Sequence, residues 1–312
     1  MTAHHPFRFG YQTRGGTADE LRDQARRAEA AGFDVLHTFD HLAPGWSPTL
    51  PLLTMAEATQ RIRVCPLVIN NDFHHPALLA AEYVQLDHLT DGRVELGLGA
   101  GHAFTEYAAM GLAFDPPAVR KARMAEAVEI IVRLLAGETV TYEGEHHHLH
   151  DVVGAAPRQA RVPLLVGVNG RAALAHAAQF ADTIGLMMLG RTLADGQRHE
   201  VRWQADRLDT TVAHIEACAA GRPRPLELNA LVQVVQITDD ADAVRRELLG
   251  ELDGLTLDDV ETTPFIAIGT PDEIAEHLVR CRARWGISYF SLRTIEPFQP
   301  VIERLRAIDA QA

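Results

Sequence analysis

Lysine is almost missing from this chain. Of 312 residues only Lys121 carries an ammonium group, and the cationic total of 29 is set against 42 acidic residues, a formal net charge of −13. A chain so acidic is a poor match for nucleic acid or an anionic membrane as its main partner. Long apolar runs are missing too. None approaches the roughly 20 residues of a membrane span, and the opening "MTAHHPFRFGYQ" has no apolar core of a secretory signal. Cysteine is scarce: Cys65, Cys218 and Cys281 are far apart with no CxxC pair. That excludes a disulfide framework and a zinc ribbon, and fits buried thiols in a reducing, cytoplasmic setting.

What is present is ordinary in amount: 47% apolar and 23% charged residues, the balance of a globular protein. Short apolar runs alternate with amphipathic helices. Strands are expected at 7–12, 33–39, 62–70, 93–99, 162–168, 182–188, 227–235 and 287–293. Thr17-Ala-Asp-Glu20 and Thr270-Pro-Asp-Glu273 read as capping boxes that open helices. Met124, Val128, Ile131 and Leu135 form one helical stripe. Eight near-continuous apolar strands separated by helices are what a parallel sheet covered on both faces requires. The expected fold is therefore an α/β, (β/α)8 TIM barrel in a single domain, 1–312, with insertions. The largest is expected near residues 190–265, as extra helices forming a lid or wall. "TVTYEGEHHHLHDV" alternates like a hairpin, and its histidines read as a solvated face in preference to a metal site.

The stretch "ELGLGAGHAFTEY" raises the question of function. Gly97, Gly99 and Gly101 alternate after an apolar run, but the motif follows the fourth strand and His102 stands where a dinucleotide fingerprint needs its last glycine. Two readings stay open: bare backbone for a flat ligand, or close packing at a strand exit. Other strand ends are polar as well. Asp40, His41 and Trp46 follow the second strand, and Asn70, Asn71 and His74 the third. His102 and Glu106 follow the fourth, and Gly167, Asn169 and Gly170 the fifth, at a helix start suited to an anion. In a barrel these loops share one mouth.

"RRAEAAGFDVLHTFDH", "HHPALLAAEYVQLDHLTDGRVELGLGAGHAFTEY" and "VPLLVGVNGRAALAHAAQFAD" together resemble the luciferase-like monooxygenase superfamily, with the F420-dependent oxidoreductases of actinobacteria as the nearest branch. The likeness covers about residues 7–190 and resumes over 265–305. It implies coenzyme F420, or FMN as the alternative, at the C-terminal mouth. The ring would rest on Asn70 and Asn71, with a non-proline cis peptide at or next to them, and near Gly99, Gly101 and His102. The phosphate would lie on Gly167, Val168, Asn169 and Gly170. His41 would move a proton, Glu106 would lie near N1 of the ring, and Asp40 would orient its neighbours; Trp46 and His74 would face the substrate. The implied reaction is hydride transfer with a small molecule (an enone, imine or secondary alcohol), because the lysines that grip a sugar phosphate are missing. A monooxygenase using reduced FMN and a non-catalytic flavin-binding barrel are the alternatives. The implied partners are a second copy in a homodimer and a separate enzyme that reduces the F420 or flavin.

Overall fold

The computed structural model describes residues 5–42, 47–192, 199–252 and 254–311. Trp46 lies outside them. Strands β1 (Arg8–Gln12), β2 (Val35–Thr38), β3 (Arg63–Pro66), β4 (Ile69–Asn70), β5 (Leu96–Gly99), β6 (Leu164–Gly167), β7 (Thr183–Leu186), β8 (Glu227–Leu231) and β9 (Ile287–Leu292) form one parallel sheet. Their order is β3-β2-β1-β9-β8-β7-β6-β5-β4. β3 and β4 are two halves of one stave. A Val64–Val94 bridge beside β5 closes the ring, so eight staves make the expected TIM barrel, and every expected strand lies on one of them.

The cis peptide is at Leu67–Val68, between the two halves of the third stave, and not at Asn70–Asn71. The reason lies across the ladder: the glycines of β5 leave room opposite Pro66 and Val68.

Helices α1 (Ala18–Ala30), α2 (Leu50–Glu57), α3 (Pro76–Leu89), α4 (Phe104–Ala109), α5 (Pro117–Leu134), α6 (Arg171–Phe180), α7 (Ala205–Ala219), α8 (Ala241–Leu249), α9 (Leu257–Thr262), α10 (Pro271–Trp285) and α11 (Gln299–Asp309) lie between and after the strands. Both expected capping boxes form, at α1 and α10. A third, Thr256 with Asp259, opens α9. The stripe Met124, Val128, Ile131 and Leu135 is buried, each such side chain contributing about 1.5–3 kcal/mol by leaving water. The expected insertion at 190–265 resolves into two pieces separated by α7 and β8. The first is an antiparallel pair, Leu189–Thr192 with His199–Val201. The second carries α8, α9 and a parallel pair, Val234–Ile237 with Ile266–Gly269. Thr139–Glu143 and His148–Val153 make the expected hairpin.

The barrel floor is ionic. The Arg8 guanidinium reaches Glu227 at 2.7 Å and also pairs with Glu95, while Arg63 Nε reaches Glu95 at 2.5 Å. Burial pushes the Glu95 carboxyl up, but Arg8 and Arg63 outweigh it and hold the group below its usual range. Above the floor, His37 Nδ1 donates to the Cys65 carbonyl at 2.9 Å, and the Tyr289 hydroxyl meets its Nε2 at 2.8 Å. A Cβ on Gly10 would stand 2.3 Å from that same nitrogen, so glycine in β1 is what admits the ring.

Burial drives His37 down to about 4, and does the same to His277, whose Nε2 donates to the Thr263 carbonyl at 3.0 Å. Unfolded histidine titrates near 6.5, so the unfolded chain binds these protons first. Their stabilisation is complete above about pH 6.5 and is lost on acidification towards pH 4, by up to about 1.4 kcal/mol per pH unit for each. Urea unfolding at several pH values should show His277→Gln, which keeps a donor for Thr263, to be less acid-sensitive than the parent. Equal slopes for the two proteins would refute the assignment.

Candidate active site

The second loop leaves β2 at Thr38 and places Asp40 and His41 over the barrel mouth. The Asp40 carboxylate accepts from the Asn70 backbone N–H at 2.9 Å, and its Oδ2 lies 3.2 Å from His74 Nε2. One carboxylate thus pins the loop after β2 to the second half of the third stave. His41 Nδ1 lies 2.9 Å from Glu106 Oε1, and the same oxygen accepts from the Leu42 backbone at 3.2 Å. The two side chains are 38% and 12% exposed, so the pair is reached from solvent on the histidine side. An ionised carboxylate can only accept, so Nδ1 carries the proton and Nε2 is left as the basic nitrogen. His102 stacks edge-on to His41, with ring centroids 5.2 Å apart.

Behind these groups stands a residue the sequence reading passed over. The Tyr107 hydroxyl lies 3.1 Å from Asn70 Oδ1 and 3.0 Å from Asp72 Oδ2. Asp72 in turn pairs with Arg123 at 3.0 Å. Asn70 also accepts from the Asp72 backbone at 3.2 Å, and Asn71 is buried beside it. The hydroxyl is burial-shifted upwards and stays neutral. Tyr107 adjoins Glu106 in sequence, and its place on the buried side of a short helix was the available signal.

The alternating glycines answer to the chain itself. A Cβ on Gly97 would stand 2.0 Å from the Pro66 carbonyl oxygen, and on Gly99 2.6 Å from Val68. At Gly101, with φ +71°, it would stand 2.2 Å from the Tyr107 hydroxyl and 2.5 Å from Asn70 Oδ1. The space they leave is filled by the broken third stave and its partners, which is the packing alternative. From the other side, Gln12 at the end of β1 donates to the Leu67 carbonyl at 3.1 Å and accepts from Arg293 Nε at 2.8 Å. Neither residue was among those expected at the mouth.

Gly167 pairs in register with Gly99, so the fifth loop borders the same mouth. Val168 is buried; Asn169 and Gly170 turn the chain into α6, Gly170 at φ +95°. The chain's one lysine reaches this turn: Lys121 Nζ lies 3.1 Å from where a Gly170 Cβ would stand. Among the described residues no carboxylate pairs with it, and burial followed by the nearby Arg120 lowers its affinity for a proton.

A model of the luciferase-like monooxygenase family matches residues 2–289. The chain belongs to that family. It is 35% identical over 187 residues to the F420-dependent glucose-6-phosphate dehydrogenase of Microbacterium testaceum, a match covering 57% of this chain and 55% of that one. It is 41% identical over 142 residues to 4-hydroxyprotoasukamycin monooxygenase of Streptomyces nodosus subsp. asukaensis, covering 43% and 38%. The chain thus spans about half the length of the curated relatives it matches. The coenzyme F420-dependent tetrahydromethanopterin reductase of Methanopyrus kandleri shares the fold, with a TM-score of 0.71 at 19% identity over 96% of this chain and 97% of that one. Within this luciferase-like barrel, Asp40 contacts Asn70 and His74, its neighbour His41 contacts Glu106, and Gly167 borders them through β5.

Gly101→Ala tests the steric account. A side chain there meets two polar atoms and an unfavourable φ, so urea unfolding should show a loss of about 2 kcal/mol or more. Unchanged stability would mean that the turn has room the geometry denies.

Proposed function

We propose that this chain is a deazaflavin-dependent oxidoreductase that transfers a hydride between C5 of coenzyme F420 and a small organic substrate such as an enone, imine or secondary alcohol. The observation that carries the reading is the His41–Glu106 pair. It sets a basic Nε2 at an open barrel mouth, beside the broken third stave and a loop approached by Lys121 of α5, with which no carboxylate among the described residues pairs.

The residues present fit the group. Gly167 to Gly170 offer backbone amides for a phosphate, and Lys121 supplies its countercharge over Gly170. Asn70 and Asn71 form the inward wall on which a ring would rest. When bound, the deazaflavin supplies a hydride donor or acceptor at C5. The protein supplies the proton. His41 Nε2 takes the hydroxyl proton of an alcohol as its carbon loses hydride, and returns a proton to the heteroatom or carbanion in the reverse sense. Glu106 holds the ring in the tautomer that makes this possible, and Asp40 fixes the Asn70 backbone and His74 around it.

The substrate side favours a weakly charged molecule. Leu42 and Phe104 are exposed next to His41 and Glu106. Arg293 is already held by Gln12 and by Gln233 at 3.2 Å, and the only lysine is at the phosphate loop. The relative named as a monooxygenase supports a second reading, in which the chain uses reduced FMN and oxygen. Wherever the chain consumes reduced cofactor, a separate enzyme supplies it, and the chain works as a homodimer.

Fluorescence titration of the purified protein with the oxidised deazaflavin coenzyme and with FMN decides between them. The deazaflavin should bind at micromolar concentration or tighter, and FMN more weakly, with no oxygen uptake in turnover. Preference for FMN would overturn the reading. His41→Ala and Glu106→Gln should each lower kcat about 100-fold or more while leaving cofactor affinity nearly unchanged. Full turnover in both would remove the proton-transfer role. Lys121→Met should weaken both phosphate-bearing cofactors by about tenfold or more and leave the unphosphorylated chromophores unaffected; equal weakening of all of them would place Lys121 elsewhere.

A further inference from the structure

A cavity of about 370 Å³ opens beyond the phosphate loop, bounded by Asn169 and Gly170 on one side and by α7 on the other. Among the described residues Arg171, Arg202 and Arg207 line it, with Asp206 as the one carboxylate. Three guanidinium groups are thus gathered here in a chain whose net charge is −13.

The placement of these arginines runs against local preference. Arg171 is the first residue of α6, whose first turn has no acidic side chain, and Arg207 stands in the first turn of α7. A helix N-terminus carries partial positive charge and disfavours cations. Asp206 offsets this only in part, its Oδ1 accepting from the Arg207 backbone at 2.8 Å. Arg202 is laid over Gly190, where a Cβ would stand 2.7 Å from its Nε; its guanidinium is 3.6 Å from Glu200. Thr210 and Thr211 add hydroxyls to the wall, and His214 donates to the Arg171 carbonyl at 2.8 Å, tying α7 to the start of α6. Cations gathered at two helix starts around an open cavity are relieved by an anion.

The cavity and the phosphate loop share Asn169 and Gly170, and Lys121 stands over Gly170 from α5. Whatever fills the cavity is thus continuous with a phosphate bound at that turn. FMN ends at its phosphate. The deazaflavin coenzyme continues into a chain of carboxylates.

We infer that this arginine-lined cavity is a second anion subsite, and that it takes the carboxylate tail of the deazaflavin coenzyme. The inference rests on the deazaflavin reading. It adds that the protein recognises its cofactor at the end remote from the reacting carbon.

The test compares the tailed coenzyme, the same coenzyme trimmed of its glutamates, and FMN, by fluorescence titration against the parent and the double variant Arg202→Ser/Arg207→Ser. The parent should bind the tailed form about tenfold or more tighter than the trimmed form, a preference that shrinks as salt is raised. The double variant should lose that preference while keeping its affinity for the trimmed form and for FMN. Arg202→Lys/Arg207→Lys, which keeps the charge, should retain most of it. Equal affinity of the parent for tailed and trimmed forms would overturn the inference alone, as would a double variant that keeps the preference or weakens all three ligands equally. Failure of both deazaflavin forms to bind the parent would overturn the functional reading, and this inference with it. Because both arginines are exposed, the variants are expected to unfold in urea as the parent does.

Discussion

A Cβ on Gly97 would stand 2.0 Å from the carbonyl oxygen of Pro66, far inside van der Waals contact. The same conflict arises at Gly99 against Val68 and at Gly101 against Tyr107 and Asn70. Because these three positions are bare, both halves of the third stave and the turn beyond it approach the fourth closely. The rest of the mouth is arranged around that approach. The Leu67 carbonyl is presented to Gln12, and the Asn70 amide to Asp40, whose carboxylate also meets His74. The Asn70 side chain falls to Tyr107 and Asp72. A side chain at any one of the glycines would displace this set together, since each member is held by another.

The two ends of the barrel treat charge differently. At the floor every arginine meets a carboxylate: Arg8 with Glu95 and Glu227, Arg63 with Glu95. Removing one partner from such a buried set is costly, because it leaves an uncompensated charge away from water. The His37–Tyr289 network above it is neutral and internally satisfied. At the mouth the balance is left open. Lys121 has no carboxylate partner among the described residues, and Arg293 is held by the amides of Gln12 and Gln233. Among the described residues the cavity arginines outnumber the one acid in their lining. The floor is closed, with each of its charges matched, whereas at the mouth Lys121 and the cavity arginines are not matched one for one among the described residues.

Much of this was legible in the sequence. Strands covered on both faces announce themselves as apolar runs, and all eight staves lie where those runs are. The capping boxes at Thr17 and Thr270 were visible because their partner is glutamate three residues on; the box at Thr256 uses aspartate and escaped notice. The polar groups at strand ends were legible as a list, but their pairing was not. Nothing in the spacing of Asp40, Asn70 and His74 says that one carboxylate serves the other two. The cis peptide shows the same limit: family likeness brought it to the right stave, while its position depends on where glycines on the neighbouring strand leave room. Lys121 was the clearest loss. Only the packing of α5 against α6 brings it over Gly170.

The parts of the site nearest the chemistry are indifferent to which cofactor they serve. A histidine held in one tautomer by a carboxylate can exchange a proton beside a flavin as well as beside a deazaflavin. Barrels of this kind host several reactions on one scaffold for that reason. Discrimination by the protein has to come from atoms that the cofactors do not share, and beyond the phosphate they diverge completely. Binding energy gained there would be the same whatever state the ring is in. On the deazaflavin reading proposed here, it would set which cofactor occupies the barrel and leave the barrier to hydride transfer to His41 and its neighbours.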